Sequence, residues 1–196
     1  MNRRNLLAGF ISTPLALYQS PSASPSSSFA SSWLTSFGAH WRDTEEYTLA
    51  MLDAMPADGF DSKPHPVQRP FGDQLRHLAY ANVVYFKSFG LVAVPAATLT
   101  TDREALDRYA MPADKEAVRR FVLASFQYVS SVLDKITEAD LRRQDLTLWE
   151  GSGSHAGTDI CLRAYMHTAH HRGQAVVYLR VKGITPPAWK FEPTGH

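Results

Sequence analysis

From about Ser32 onward apolar residues recur at helical spacing along almost the whole chain, and no stretch shows a convincing two-residue alternation. The pattern predicts four long helices. The first covers residues 33 to about 55, with Trp33, Phe37, Trp41, Leu49, Leu52 and Met55 at its apolar positions. Pro56 ends it, because proline has no amide hydrogen and its ring clashes with the preceding turn. Four prolines between Pro56 and Pro70 mark an extended connection. A second helix begins near Phe71 and ends near Gly90, a natural C-terminal cap. The next connection has room for a short helix over residues 102–109. A third helix, about 114–136, carries Val118, Phe121, Val122, Phe126, Val129 and Val132. After a loop with Trp149, Glu150 and a Gly/Ser-rich turn, Thr158 or Asp159 can cap a fourth helix reaching about Lys182. Gly183 and the Pro186-Pro187 pair stop it. Four such helices joined by moderate loops make an all-α four-helix bundle the expected fold.

The first thirty residues follow a different logic. Arg3-Arg4 precede a short apolar stretch, Leu6 to Tyr18, and a run rich in Ser, Pro and Ala comes next. A charged start, a short apolar middle and a small-residue end are the parts of an export signal. The arginine pair followed by leucines also resembles a twin-arginine signal, and Ser28-Phe29-Ala30 offers small residues for cleavage after Ala30. Residues 1–30 are therefore read as an export signal and 31–196 as the bundle domain, which makes the mature protein periplasmic. The alternative is a Ser-rich tail on a cytoplasmic protein. The apolar part is too short for a stable membrane anchor.

Composition narrows the chemistry. The chain has 196 residues, 44% of them apolar, and 20 basic against 19 acidic side chains. No basic stripe exists to hold nucleic acid. The single cysteine, Cys161, rules out an internal disulfide and reads as a small buried hydrophobe.

The histidines are the candidate chemistry. His167 and His171 lie four apart, so their imidazoles project from one side of the fourth helix, one turn above the other. Eight histidines in this length produce roughly 0.3 such pairs by chance, so spacing alone says little. The neighbours say more. His171 is surrounded on its face by Ala164, His167, Thr168, Gln174, Ala175 and Tyr178, and His77 of the second helix by Gln74, Tyr80, Ala81, Val84 and Ser88. Charges occur on these faces only at the ends, as Asp73 and Lys182, whereas a solvated face carries them in its middle. Both faces lie opposite the stronger apolar stripes, Leu75/Leu78/Ala79/Phe86 and Leu162/Met166/Ala169/Val176, so both helices need contacts on two sides for an interior site. The residues leave two readings open: one metal held by His77, His167 and His171, or three histidines satisfied by ordinary hydrogen bonds.

Three segments together resemble the DinB-like (damage-inducible) metalloprotein family. They are Ala54-Met-Pro, the stretch Arg69-Pro-Phe-Gly-Asp-Gln-Leu-Arg-His-Leu-Ala79, and His167-Thr-Ala-His-His-Arg-Gly-Gln174. The tail from Tyr178 to Pro187 fits as well, and the resemblance spans about Trp33 to Trp189. It implies a four-helix bundle, often a homodimer, with a three-histidine divalent metal site. The family's single histidine falls on His77 and its pair on His167 and His171; His170 points about 100° away from His171. Three nitrogen ligands leave a coordination position open, a catalytic pattern for zinc that also suits nickel, iron(II) or manganese. Gln174 and Tyr178 continue the same face as candidates for supporting or substrate contacts. Some relatives are thiol-dependent enzymes using bacillithiol or mycothiol, which implies thiol transfer or isomerisation at a metal. Two alternatives stand beside it: a non-catalytic, stress-related module binding metal or a small ligand, and a dimeric scaffold whose metal is structural.

Overall fold

The computed structural model describes residues 28–102 and 114–191. It contains α1 (Phe29–Ala54), a 3-10 turn (Ala57–Gly59), α2 (Phe71–Lys87), α3 (Lys115–Leu133), the short α4 (Glu138–Arg142) and α5 (Gly157–Val181). α2 packs most extensively on α3 and α5, and α1 on the same two helices. The four long helices thus form a ring in which α1 and α2 lie diagonally opposite, as do α3 and α5. The only β pairing among the described residues is an isolated bridge, Leu146 to His155. The helix expected at 102–109 lies outside the described residues from 103 on, as do Arg3, Arg4 and the N-terminal apolar stretch.

Helix ends follow their local chemistry. α1 starts four residues before the expected position, because the Ser28 side chain accepts from the Ser31 amide and caps it. The expected boundary after Ala30 therefore falls in the first turn of α1, where Ala30 is buried. At its other end Lys115 Nζ donates to the carbonyls of Asp53 (2.8 Å) and Met55 (2.7 Å), satisfying acceptors that a terminating helix leaves over. α5 is not capped by Thr158 or Asp159. Both lie inside the helix, and the N-cap is Ala156, which offers no side-chain acceptor. Gly157 is there for space: a Cβ would press on the Asp140 carbonyl and sit 2.8 Å from Leu141 Cα, so α4 and α5 meet only at glycine. The end of α5 behaves as expected. Gly183 takes φ 74°, and the amides of Gly183 and Ile184 return to the carbonyls of Arg180 and Leu179, both at 2.9 Å.

The core centres on Trp41, whose ring lies 5.4 Å from both Phe86 and Phe126, tying α1 to α2 and α3. Removing a fully buried side chain of this size costs about 3–5 kcal/mol. At the other end of the ring Phe71 packs on Phe60 and Tyr178. α2 and α5 are also joined by a buried polar bond, Thr168 Oγ1 donating to Asn82 Oδ1 at 2.9 Å.

One expectation needs correcting. The stripe Leu75/Leu78/Ala79/Phe86 is buried, but on α5 Leu162 and Met166 are exposed, at 54% and 61%. α5 turns inward its other face, with Ile160, Cys161, Ala164, Thr168, His171, Arg172, Ala175 and Tyr178 buried. Thr168 and His171 have partners across the α2 seam, in Asn82 and Gln74, so burying them costs less than their residue types suggest.

Candidate metal centre

α2 and α5 lie side by side, which sets His77 opposite the His167–His171 pair. A ligand nitrogen from each of the three residues lies within 4.8 Å of the others. Ring centroids are 4.3 Å apart for His167 and His171, 4.9 Å for His77 and His171, and 5.2 Å for His77 and His167. His171 is buried, and the other two are half-buried. A cluster this tight can hold one ion bonded to all three nitrogens. His170 is excluded: it is exposed, and its Nε2 lies 2.7 Å from Gln174 Nε2.

The electrostatics suit neutral ligands. Burial, then the nearby His77 and His170, lowers the pKa of His167 to about 4. Burial, then His167, His77, His170 and Arg69, lowers that of His171 to about 3. Both rings therefore keep the lone pairs that a metal requires. Among the described residues no cysteine or carboxylate joins the cluster. Cys161, on the same helix, is buried, and burial pushes its thiol up to about 12, so it is no nucleophile.

Around the cluster runs a chain of amides that sequence reasoning found only in part. Gln74, 2% exposed on α2, has its Nε2 2.7 Å from His171 Nδ1 and also donates to Gln174 Oε1. Nδ1 of His171 is held by an amide that can present either nitrogen or oxygen, and Nε2 lies 3.0 Å from His167 Nε2. Gln174 thus acts on the cluster through Gln74. The signal for Gln74 was its place one turn before His77; only the helix crossing shows that it reaches His171. Tyr178, the other candidate, is turned elsewhere: it is 1% exposed, and its hydroxyl donates to the Arg69 carbonyl at 2.6 Å.

His77 and His167 form part of the wall of a cavity of about 520 Å³. Arg69, Tyr80, Tyr85, Lys87 and Trp149 also line it, and no acidic side chain does. The Tyr85 ring lies 5.9 Å from that of His167, and burial raises its phenol pKa. A ligand in this space would meet two cations, three aromatic rings and the outer side of the histidine cluster.

Comparison with known proteins agrees with this architecture. No curated protein matches the chain. Among solved structures, a DinB-like protein from Bacillus cereus is similar at 21% identity and TM-score 0.66, over 80% of this chain and 97% of that one. A DinB-like protein from Bacillus subtilis is similar at 18% identity and TM-score 0.59, over 79% and 96%. Both likenesses concern the fold. The DinB family model matches residues 30–194, which is nearly all of the described chain, and the protein belongs to the DinB family.

Proposed function

We propose that His77, His167 and His171 hold one divalent metal, zinc, nickel, iron(II) or manganese, and that the centre serves thiol-dependent group transfer or isomerisation. The observation that carries this reading is the position of the cluster on a cavity wall. Three nitrogens converge, no fourth side chain of metal-binding type joins them among the described residues, and two of the three imidazoles border open space. A bound metal supplies a Lewis acid that polarises an oxygen or lowers the pKa of water or a thiol. The chain's own residues do the rest. Gln74 and Gln174 orient His171, while Arg69 and Lys87 offer cationic contacts to an anionic substrate or thiol. The inert Cys161 supports an external thiol, because the described part of the chain has no nucleophilic sulfur of its own.

Cobalt(II) tests the reading. Loaded in place of the native metal, it should develop a sulfur-to-metal charge-transfer band when a small thiol is added, and His167→Ala should abolish that band. A cobalt spectrum that no thiol perturbs would assign the metal the structural task of fastening α2 to α5, or leave a non-catalytic metal-binding module.

Two further features belong to the proposal. The exposed apolar residues of α5, Leu162, Met166, Val177 and Val181, support a homodimer. The arginine pair and apolar stretch at the N-terminus support export to the periplasm. N-terminal sequencing of protein from a fractionated native host checks the latter, and an intact Met1 in the cytoplasm would refute it.

A further inference from the structure

A second cavity, away from the three histidines, is built around a charge with unused hydrogen-bonding capacity. Arg172 follows His171 on α5 but turns towards α1 and is 3% exposed. Its guanidinium carbon lies 4.6 Å from the Phe191 ring centroid and 5.7 Å from that of Tyr47. Stacking of this kind stabilises the cation through the ring faces but supplies no acceptor for its N–H groups. The Tyr165 side chain is one hydrogen-bond partner of the guanidinium, but Nε and Nη1 are both buried and have none. No ion pair among the described residues includes Arg172. Buried charged donors in folded proteins are ordinarily satisfied, and one that is not calls for an acceptor from outside the chain.

The surroundings indicate what that acceptor is. Arg172 lines a cavity of about 450 Å³ between α1, α5 and the segment after α5, a size typical of small-molecule sites. Arg180 stands on the same wall, Tyr47, Val176, Pro187 and Trp189 supply apolar surface, and no lining residue is acidic. The cover over the guanidinium is light. Phe191 is only half-buried, and it is held by edge contact with Tyr47 (6.1 Å) and by Trp189 (4.9 Å). We propose that this cavity binds a small organic anion, its carboxylate or phosphate head at Arg172 and its apolar body along Tyr47, Val176 and Trp189.

Benzoate and phenyl phosphate are the probes, with benzyl alcohol as the neutral control. Binding is read by calorimetry and by fluorescence, since Trp189 lies in the cavity wall. One or both anions should bind saturably, and their ratio tells carboxylate from phosphate; benzyl alcohol should bind at least about tenfold more weakly. Arg172→Gln should lose about tenfold or more in affinity with its metal content unchanged. Arg180→Ala, at an exposed position, keeps the test decisive if Arg172→Gln does not fold: it should weaken binding about threefold at low salt. An anion could instead ligate the metal, so binding is repeated in His77→Ala/His167→Ala, where it should persist. Loss of binding in that variant, equal binding of benzyl alcohol, or wild-type affinity in both arginine variants would overturn the assignment.

Discussion

Gln74 is the residue whose replacement tests the design of the centre most finely. Its amide lies 2.7 Å from His171 Nδ1, while His171 Nε2 faces His167 Nε2 at 3.0 Å. A histidine that bonds a metal through Nε2 carries its proton on Nδ1 and needs an acceptor there. An amide presents nitrogen or oxygen according to which way it is turned, so Gln74 can serve both proton states of His171. Leucine at this position nearly matches the volume and leaves Nδ1 without an acceptor in a buried place. Loss of such a supporting partner lowers metal affinity by about 10–100-fold, which corresponds to about 1.4–2.7 kcal/mol. The assay is a competition titration of zinc between apo protein and a chromophoric chelator at pH 7.5. Gln74→Glu makes the complementary case, because a carboxylate only accepts; its affinity should equal or exceed wild type. If Gln74→Leu binds zinc like wild type, or if Glu weakens binding as much as Leu, the orienting contact to His171 is not what sets affinity.

Gly157→Ala should destabilise the protein by about 1–3 kcal/mol in urea denaturation, because the added methyl meets backbone of α4 that cannot move aside; an unchanged midpoint would show that the α4–α5 junction yields. In the apo protein the pKa values of His167 and His171 lie near 4 and 3, below the value of about 6.5 in the unfolded chain. The unfolded state then binds more protons in this window, so apo stability is complete above about pH 6.5 and declines as pH falls towards 4. His167→Asn should flatten that slope, and a wild-type apo protein equally stable at pH 7 and 4.5 would contradict the burial argument. Met166→Glu/Val177→Glu places charge on the exposed face of α5 and should convert a dimer to monomer in sedimentation, with metal content retained; an unchanged oligomeric state would remove that face from the interface.

How much of this was legible in the sequence depends on whether a feature is local. Pro56 and Gly183 end their helices for reasons that need only neighbouring residues, and both ends fall where periodicity puts them. α4 was missed because five residues are too few to show a period, although Thr137 and Asp140 form a capping box that marks its start. The inward face of α5 was misjudged for a different reason. Leu162 and Met166 read as the stronger apolar stripe, while Thr168 stands on the polar face around His171. The polar face is the buried one because Asn82 satisfies Thr168 and aromatic rings of α1 and the C-terminal segment cover Arg172. The histidine spacing on α5 was visible, and so was the polar, nearly uncharged face around it. That His77 meets the pair, and that Gln74 reaches His171, depends on how α2 crosses α5, which no single helix encodes.

The central claim is that His77, His167 and His171 together hold one metal ion. Elemental analysis of the purified protein tests it most directly, alongside the variant in which all three are alanine and a His170→Ala control. Wild type and His170→Ala should each carry about one divalent transition metal per chain, and the triple variant, still helical by circular dichroism, should carry almost none. Full occupancy in the folded triple variant would place the metal elsewhere and contradict the account.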